Sequence, residues 1–160
     1  MVVIIMGVSG SGKTTIGSLL ANELNGLFFD ADNFHPKNNI IKMSKGFPLT
    51  DNDRLPWLKN LSKKIKIWGK GEKNVFVACS ALKESYRKIL MKEKMNWIFL
   101  KGSFSLISKR LKNRNNHFMK KNLLKSQFEI LEPPSYGIHL NINQTPSSIV
   151  KKILLELSYE

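Results

Sequence analysis

The chain has 160 residues, 42% of them apolar, which suits one compact domain with its own core; no apolar run reaches the roughly 18 residues of a membrane helix. One cysteine, Cys79, excludes an internal disulfide; with no signal-peptide pattern in MVVIIMGVSG, the expectation is a cytoplasmic protein free of the membrane. The formal charge of +14 comes from 22 scattered lysines and 4 arginines, which reads as solvated surface rather than a nucleic-acid-binding face.

In chain order, VVIIM (2–6) reads as a buried strand. A Gly-rich turn follows, then a helix from Lys13 to Asn25 with Gly26 as its stop. LFFD (27–30) is a second strand. A short helix spans Asn39–Lys45 and ends at Gly46; another runs from Pro56 to Trp68, closed by Gly69 and Gly71. VFVAC (75–79) is strand three, ESYRKILMKEK a helix, and WIFLK (97–101) strand four. A helix over Ser105–Arg114, a polar break at Asn115–Asn116 and a helix over Leu123–Leu131 come next. After Pro133 and Pro134, IHLNI (138–142) gives strand five and Ser147–Leu157 a final amphipathic helix. Strands alternating with helices imply a mainly parallel sheet covered on both faces. There is no internal repeat, linker or low-complexity tail, so residues 1–160 form a single domain.

GVSGSGKT (7–14) matches G-x-x-x-x-G-K-[ST] between a predicted strand and a predicted helix, where that motif must sit. Gly7, Gly10 and Gly12 let the backbone of Val8, Ser9, Ser11 and Thr15 wrap around phosphate at a helix N-terminus. Lys13 reaches the β and γ phosphates, and the Thr14 hydroxyl ligates Mg2+. Strand three ends in Cys79–Ser80 rather than an aspartate, and no N-K-x-D segment reads guanine, so the nucleotide is ATP. The length leaves room for a small kinase and not for a motor.

Two of only four aspartates, Asp30 and Asp32, close strand two, whose tip should face the γ-phosphate. Asp30 can hold Mg2+ through water and Asp32 can accept the proton of an attacking hydroxyl. The competing reading makes them turn residues that cap the next helix. Where lysine fills most basic positions, the arginines mark places that need a planar fork: Arg54, Arg87, Arg110 and Arg114.

GVSGSGKTT, DADNFHPKNNIIKMSKGFPLTDNDRLPWL, CSALKESYRKIL, LKGSFSLISKRLKNRNNHF and LLKSQFEILEPP resemble, in order, the signatures of P-loop bacterial gluconokinases. The resemblance covers nearly the whole chain, and its long aspartate-rich run is far more specific than the P-loop alone. It implies a three-layer, adenylate-kinase-like P-loop fold with a central five-stranded parallel sheet and helices on both faces. It also implies ATP- and Mg2+-dependent phosphorylation of D-gluconate at its 6-hydroxyl; assembly as a homodimer stays open. In that frame Arg54 and Arg87 become candidates for the gluconate carboxylate, and Ser80 and Lys83 for the polyol. His35 is either a substrate contact or a turn histidine before Pro36. Arg110 and Arg114, four apart, fit a lid over residues 110–123. The resemblance points Gln127 toward substrate and places Gln144 and Pro146 near adenine. A shikimate-type or nucleotide kinase, a non-catalytic ATP-binding module and a basic nucleic-acid protein are the alternatives. The last lacks interleaved aromatics.

Overall fold

The computed structural model describes residues 1–91, 95–113 and 121–158. Five parallel strands form one sheet: β1 (Val2–Met6), β2 (Leu27–Asp30), β3 (Val75–Cys79), β4 (Met95–Lys101) and β5 (Ile138–Asn141), in the order β2-β3-β1-β4-β5. β1 lies at the centre, with Val2 opposite both Val75 and Met95. Its five apolar residues are all buried, as a strand covered on both faces requires.

Alternation along β1 divides the core into two. Val3 and Ile5 face a cluster with Ile16 and Leu20 of α1 (Lys13–Glu23), Ile107 of α5 (Phe104–Lys112) and Ile149 and Ile153 of α7 (Pro146–Leu157). Val2, Ile4 and Met6 face Trp57, Leu58, Leu61 and Ile65 of α3 (Asp51–Trp68) and Tyr86 and Leu90 of α4 (Glu84–Leu90). Two residues on opposite pleats thus specify two helical layers. The remaining helices, α2 (Lys37–Ser44) and α6 (Lys121–Ile130), stand where the C-terminal ends of the strands open.

Most boundaries shift by a residue or two from the sequence reading, and a few differ for a physical reason. A 3-10 turn over Ala31–Phe34, not foreseen, follows β2 directly. α3 begins at Asp51 instead of Pro56, because Thr50 and Asp53 close a capping box. α4 stops at Leu90 rather than running through ESYRKILMKEK, with Met91 extended and β4 starting at Met95, two residues early. Leu90 is fully buried, and the register Val2↔Met95 draws the chain back into the sheet. Residues 92–94 of that expected helix lie outside the described residues, as do Asn115 and Asn116.

Candidate active site

After β1 the chain turns over Gly7–Gly12. Gly7 has φ 147°, and a Cβ there would stand 2.8 Å from both the Leu100 carbonyl oxygen and the Ser11 hydroxyl. Gly12 has φ 101° and caps α1; a Cβ there would meet nothing within 4 Å, because that side opens into the cleft. Both positions lie in the left-handed region that glycine tolerates. α1 starts with no side-chain cap and no acidic residue in its first turn. Its leading N–H groups and positive dipole end therefore suit an anion. The Ser11 hydroxyl is buried with no hydrogen-bond partner among the described residues, another donor at the same turn.

Lys13 is half-buried, and its Nζ donates to the Val8 carbonyl at 3.0 Å. Burial lowers its pKa, with Asp32, Cys79 and Asp30 pulling the other way. Thr14 Oγ1 donates to Asp30 Oδ2 at 3.1 Å, joining the two residues expected at Mg2+. The other Asp30 oxygen accepts from the Asp32 amide at 3.0 Å and caps the 3-10 turn. The two readings of Asp30 are thus compatible: one oxygen serves the turn and the other faces the P-loop. Asp32 is left projecting into the cleft, its side chain 73% exposed.

The acceptor side is built on α3. The Trp57 indole N–H donates to the Ala31 carbonyl at 2.8 Å, and the His35 imidazole stacks on that ring with centroids 4.1 Å apart. Arg54 lines the cleft, its Nη1 donating to the Leu49 carbonyl and, at 3.4 Å, to the Tyr86 hydroxyl. Among the described residues its Nε and Nη2 have no hydrogen-bond partner, which leaves the Nε–Nη2 edge of the fork for a ligand. Tyr86 in turn donates to Asp51. That bond, with Lys83, holds the Asp51 carboxyl below its usual range.

One cleft of about 530 Å³ collects Lys13, Thr14, Asp30, Asp32, Arg54 and Gln127, with Ile40, Met43 and Leu49 as an apolar wall. Gln127, expected toward substrate, lines the cleft and also braces it. Its Oε1 accepts from the Ser9 amide at 2.8 Å and its Nε2 donates to the Ser9 hydroxyl at 3.3 Å, tying α6 to the P-loop. A second cavity of about 320 Å³ adjoins it across Gly12, lined by Arg110 and by Gln144 and Pro146, the two residues expected near adenine. Arg110 sits in the last turn of α5 and donates to the Ile142 carbonyl. Arg114 and the rest of 114–120, half of the expected 110–123 lid, lie outside the described residues.

Four expected substrate contacts are not among the residues that line the cleft: His35, stacked on Trp57, and Ser80, Lys83 and Arg87. Lys83 is held by Asp51 through bonds of 2.9 and 3.0 Å. Arg87 is 1% exposed and grips the Ala81 and Leu82 carbonyls at 2.9 and 3.2 Å, with Glu84 Oε2 2.8 Å from its Nη2. Ala81 has φ 42°, a strained conformation for a residue with a Cβ, and the Arg87 fork holds that turn closed from behind. Asn39 and Trp57 escaped the sequence reading; the pairing of His35 with Asn39, four apart in one motif, was the available signal.

The shikimate kinase family profile matches residues 9–157. A probable gluconokinase of Rattus norvegicus is 44% identical, the match covering 96% of this chain and 95% of that one. The thermosensitive gluconokinase of Escherichia coli (strain K12) is 43% identical over 93% of this chain and 83% of its own. The crystal structure of a gluconokinase from Sinorhizobium meliloti 1021 superposes with a TM-score of 0.88 at 38% identity, covering 98% of this chain and 91% of that chain. With a P-loop on a five-stranded parallel sheet and relatives this similar along almost its full length, the chain belongs to the gluconokinase family of shikimate-kinase-type P-loop kinases.

Proposed function

We propose that the protein is a gluconokinase that transfers the γ-phosphoryl group of ATP to the 6-hydroxyl of D-gluconate. The observation that carries this reading is the single cleft in which the P-loop, the Asp30–Asp32 pair and the Arg54 guanidinium all open. The substrate has a carboxylate at one end and the reacting hydroxyl at the other. Arg54 suits the first as a bidentate donor, and Asp32 suits the second as acceptor of the hydroxyl proton. The hydroxyl oxygen bonds to the γ-phosphorus as the bond to the ADP oxygen breaks, and the proton passes to the Asp32 carboxylate.

Lys13 and the first amides of α1 would hold the phosphates; Arg110, Gln144 and Pro146 would line the nucleoside side. Thr14 and Asp30 would hold Mg2+, which when bound neutralises charge between the β and γ phosphates. Among the described residues no three His, Cys, Asp or Glu are grouped to cage a metal. That suits an ion that takes its other ligands from water and phosphate. The test is a coupled ADP-release assay with gluconate, shikimate, related sugar acids and nucleoside monophosphates. Turnover should appear with gluconate and be absent with shikimate and the monophosphates. Turnover on another acceptor alone, or ATP bound without turnover on any, would overturn the assignment.

A further inference from the structure

Asn39 is 5% exposed, and its side-chain nitrogen lies 2.8 Å from the Asp53 carbonyl oxygen. A carbonyl only accepts, so this bond fixes which end of the amide is NH2. The second N–H of that group faces His35 Nδ1 at 3.3 Å. Nδ1 must therefore present a lone pair, and the ring proton sits on Nε2. Nε2 lies 3.8 Å from Oδ1 of Asp32, the proposed catalytic carboxylate. The ring has little freedom to turn. Its side chain is 5% exposed, it lies within 17° of parallel on Trp57, and Trp57 is itself anchored to Ala31.

We infer that His35 is a positioning residue: a neutral imidazole whose one N–H, kept on Nε2 by Asn39, is aimed at Asp32 and sets the direction in which that carboxylate meets the acceptor hydroxyl. The inference rests on the role of Asp32 in the kinase reading. The gap of 3.8 Å is longer than a hydrogen bond, so across it the N–H acts on the carboxylate as an oriented dipole. A neutral donor has an advantage here. An imidazolium would stabilise the ionised carboxylate and weaken it as a base, whereas a neutral N–H orients it at less cost to basicity. The surroundings favour the neutral ring: burial, then the charge of Arg54, lower the His35 pKa to about 4.

The chain has only three histidines, so long-range proton–nitrogen correlation spectra of the full-length labelled protein can report the tautomer of each. His35 should show a protonated Nε2 and a bare Nδ1 from pH 8 to below pH 6. In Asn39→Asp the donor is gone, and Nδ1 should take up a proton. This readout needs no substrate, so it stands even if gluconate proves not to be the acceptor. His35→Phe keeps the stack on Trp57 and removes the N–H. Its kcat should fall about tenfold or more, with KM for both substrates and Tm close to wild type. A protonated Nδ1 or a tautomer-averaged ring in the wild type would overturn the inference, as would unchanged kcat in a folded His35→Phe.

Discussion

Asp30 and Asp32 stand two residues apart, yet their surroundings differ. Asp30 is committed through both oxygens, to Thr14 and to the turn amide, whereas Asp32 projects into the cleft. Asp30→Asn should therefore raise the Mg2+ concentration needed for half-maximal rate and recover in part at high Mg2+. Asp32→Asn should lose kcat by about a hundredfold or more while ATP affinity stays near wild type. Titrating Mg2+ and ATP separately distinguishes the two, and indistinguishable variants would refute the division. The arginines separate in the same way. Arg54→Lys keeps the charge and loses the fork, so kcat/KM for gluconate should drop about ten- to a hundredfold with KM for ATP unmoved. Arg87→Lys should leave the affinities near wild type and lower Tm instead, since lysine cannot reach two carbonyls and a carboxylate at once. Scarcity of arginine showed where a guanidinium is needed. It could not show what the guanidinium grips, because backbone carbonyls satisfy the same fork as a substrate carboxylate.

The elements that carry these residues were legible where one local signal dominated. The apolar runs of β1 and β3 and the glycine stop of α3 lie where the sequence placed them, whereas α1 ends at Glu23, with Asn25 at φ 49° as the left-handed residue in place of Gly26. The start of α3 was misread because Pro56 resembles a first-turn proline, while the capping box five residues earlier has more hydrogen bonds to offer. Thr50 accepts from the Asp53 amide at 3.1 Å, and Asp53 accepts from the Thr50 amide at 2.8 Å and from Lys42 Nζ at 2.6 Å. Lys42 first, then Thr50, hold the Asp53 carboxyl at about 2, below its ordinary value of 3.8. This stabilisation is complete above the ordinary value and fades as pH falls through the folded one. The box also places the carbonyl that Asn39 reads and the side chain of Arg54. Thr50→Ala should cost about 1 kcal/mol in chemical denaturation. It should raise KM for gluconate as well, because Arg54 begins at the next turn of the same helix. A stability loss with gluconate KM unchanged would mean that the cap serves the helix alone.

At the scale of the molecule, five parallel strands and two helical layers were readable from alternation of elements, and the P-loop fixed the end at which ligands bind. Strand order was not, since one sequence holds no signal for which strands become neighbours. Nor was the tie between Asn122 and the Gly46 carbonyl, 2.8 Å long, which links α6 to the loop after α2 across 76 positions. The order that emerged puts the first strand in the middle, and this has a consequence in time. During synthesis Val2–Met6 leaves the ribosome before either neighbour exists, for its partners end at Cys79 and Lys101. No hairpin can shelter it meanwhile, because every pairing in the sheet is parallel and needs a crossover. The nascent chain thus carries an uncovered VVIIM segment until β3 has been made, and one side of it stays open until β4 follows, an interval in which a holding chaperone has something to bind. In refolding both neighbours are present from the start, but the long crossovers must still close before the strand is paired. In pulse-labelled hydrogen exchange, the amides of Val2–Met6 should gain protection together with those of Met95–Lys101 and no sooner; earlier protection of the first strand would show that it finds shelter outside the native sheet.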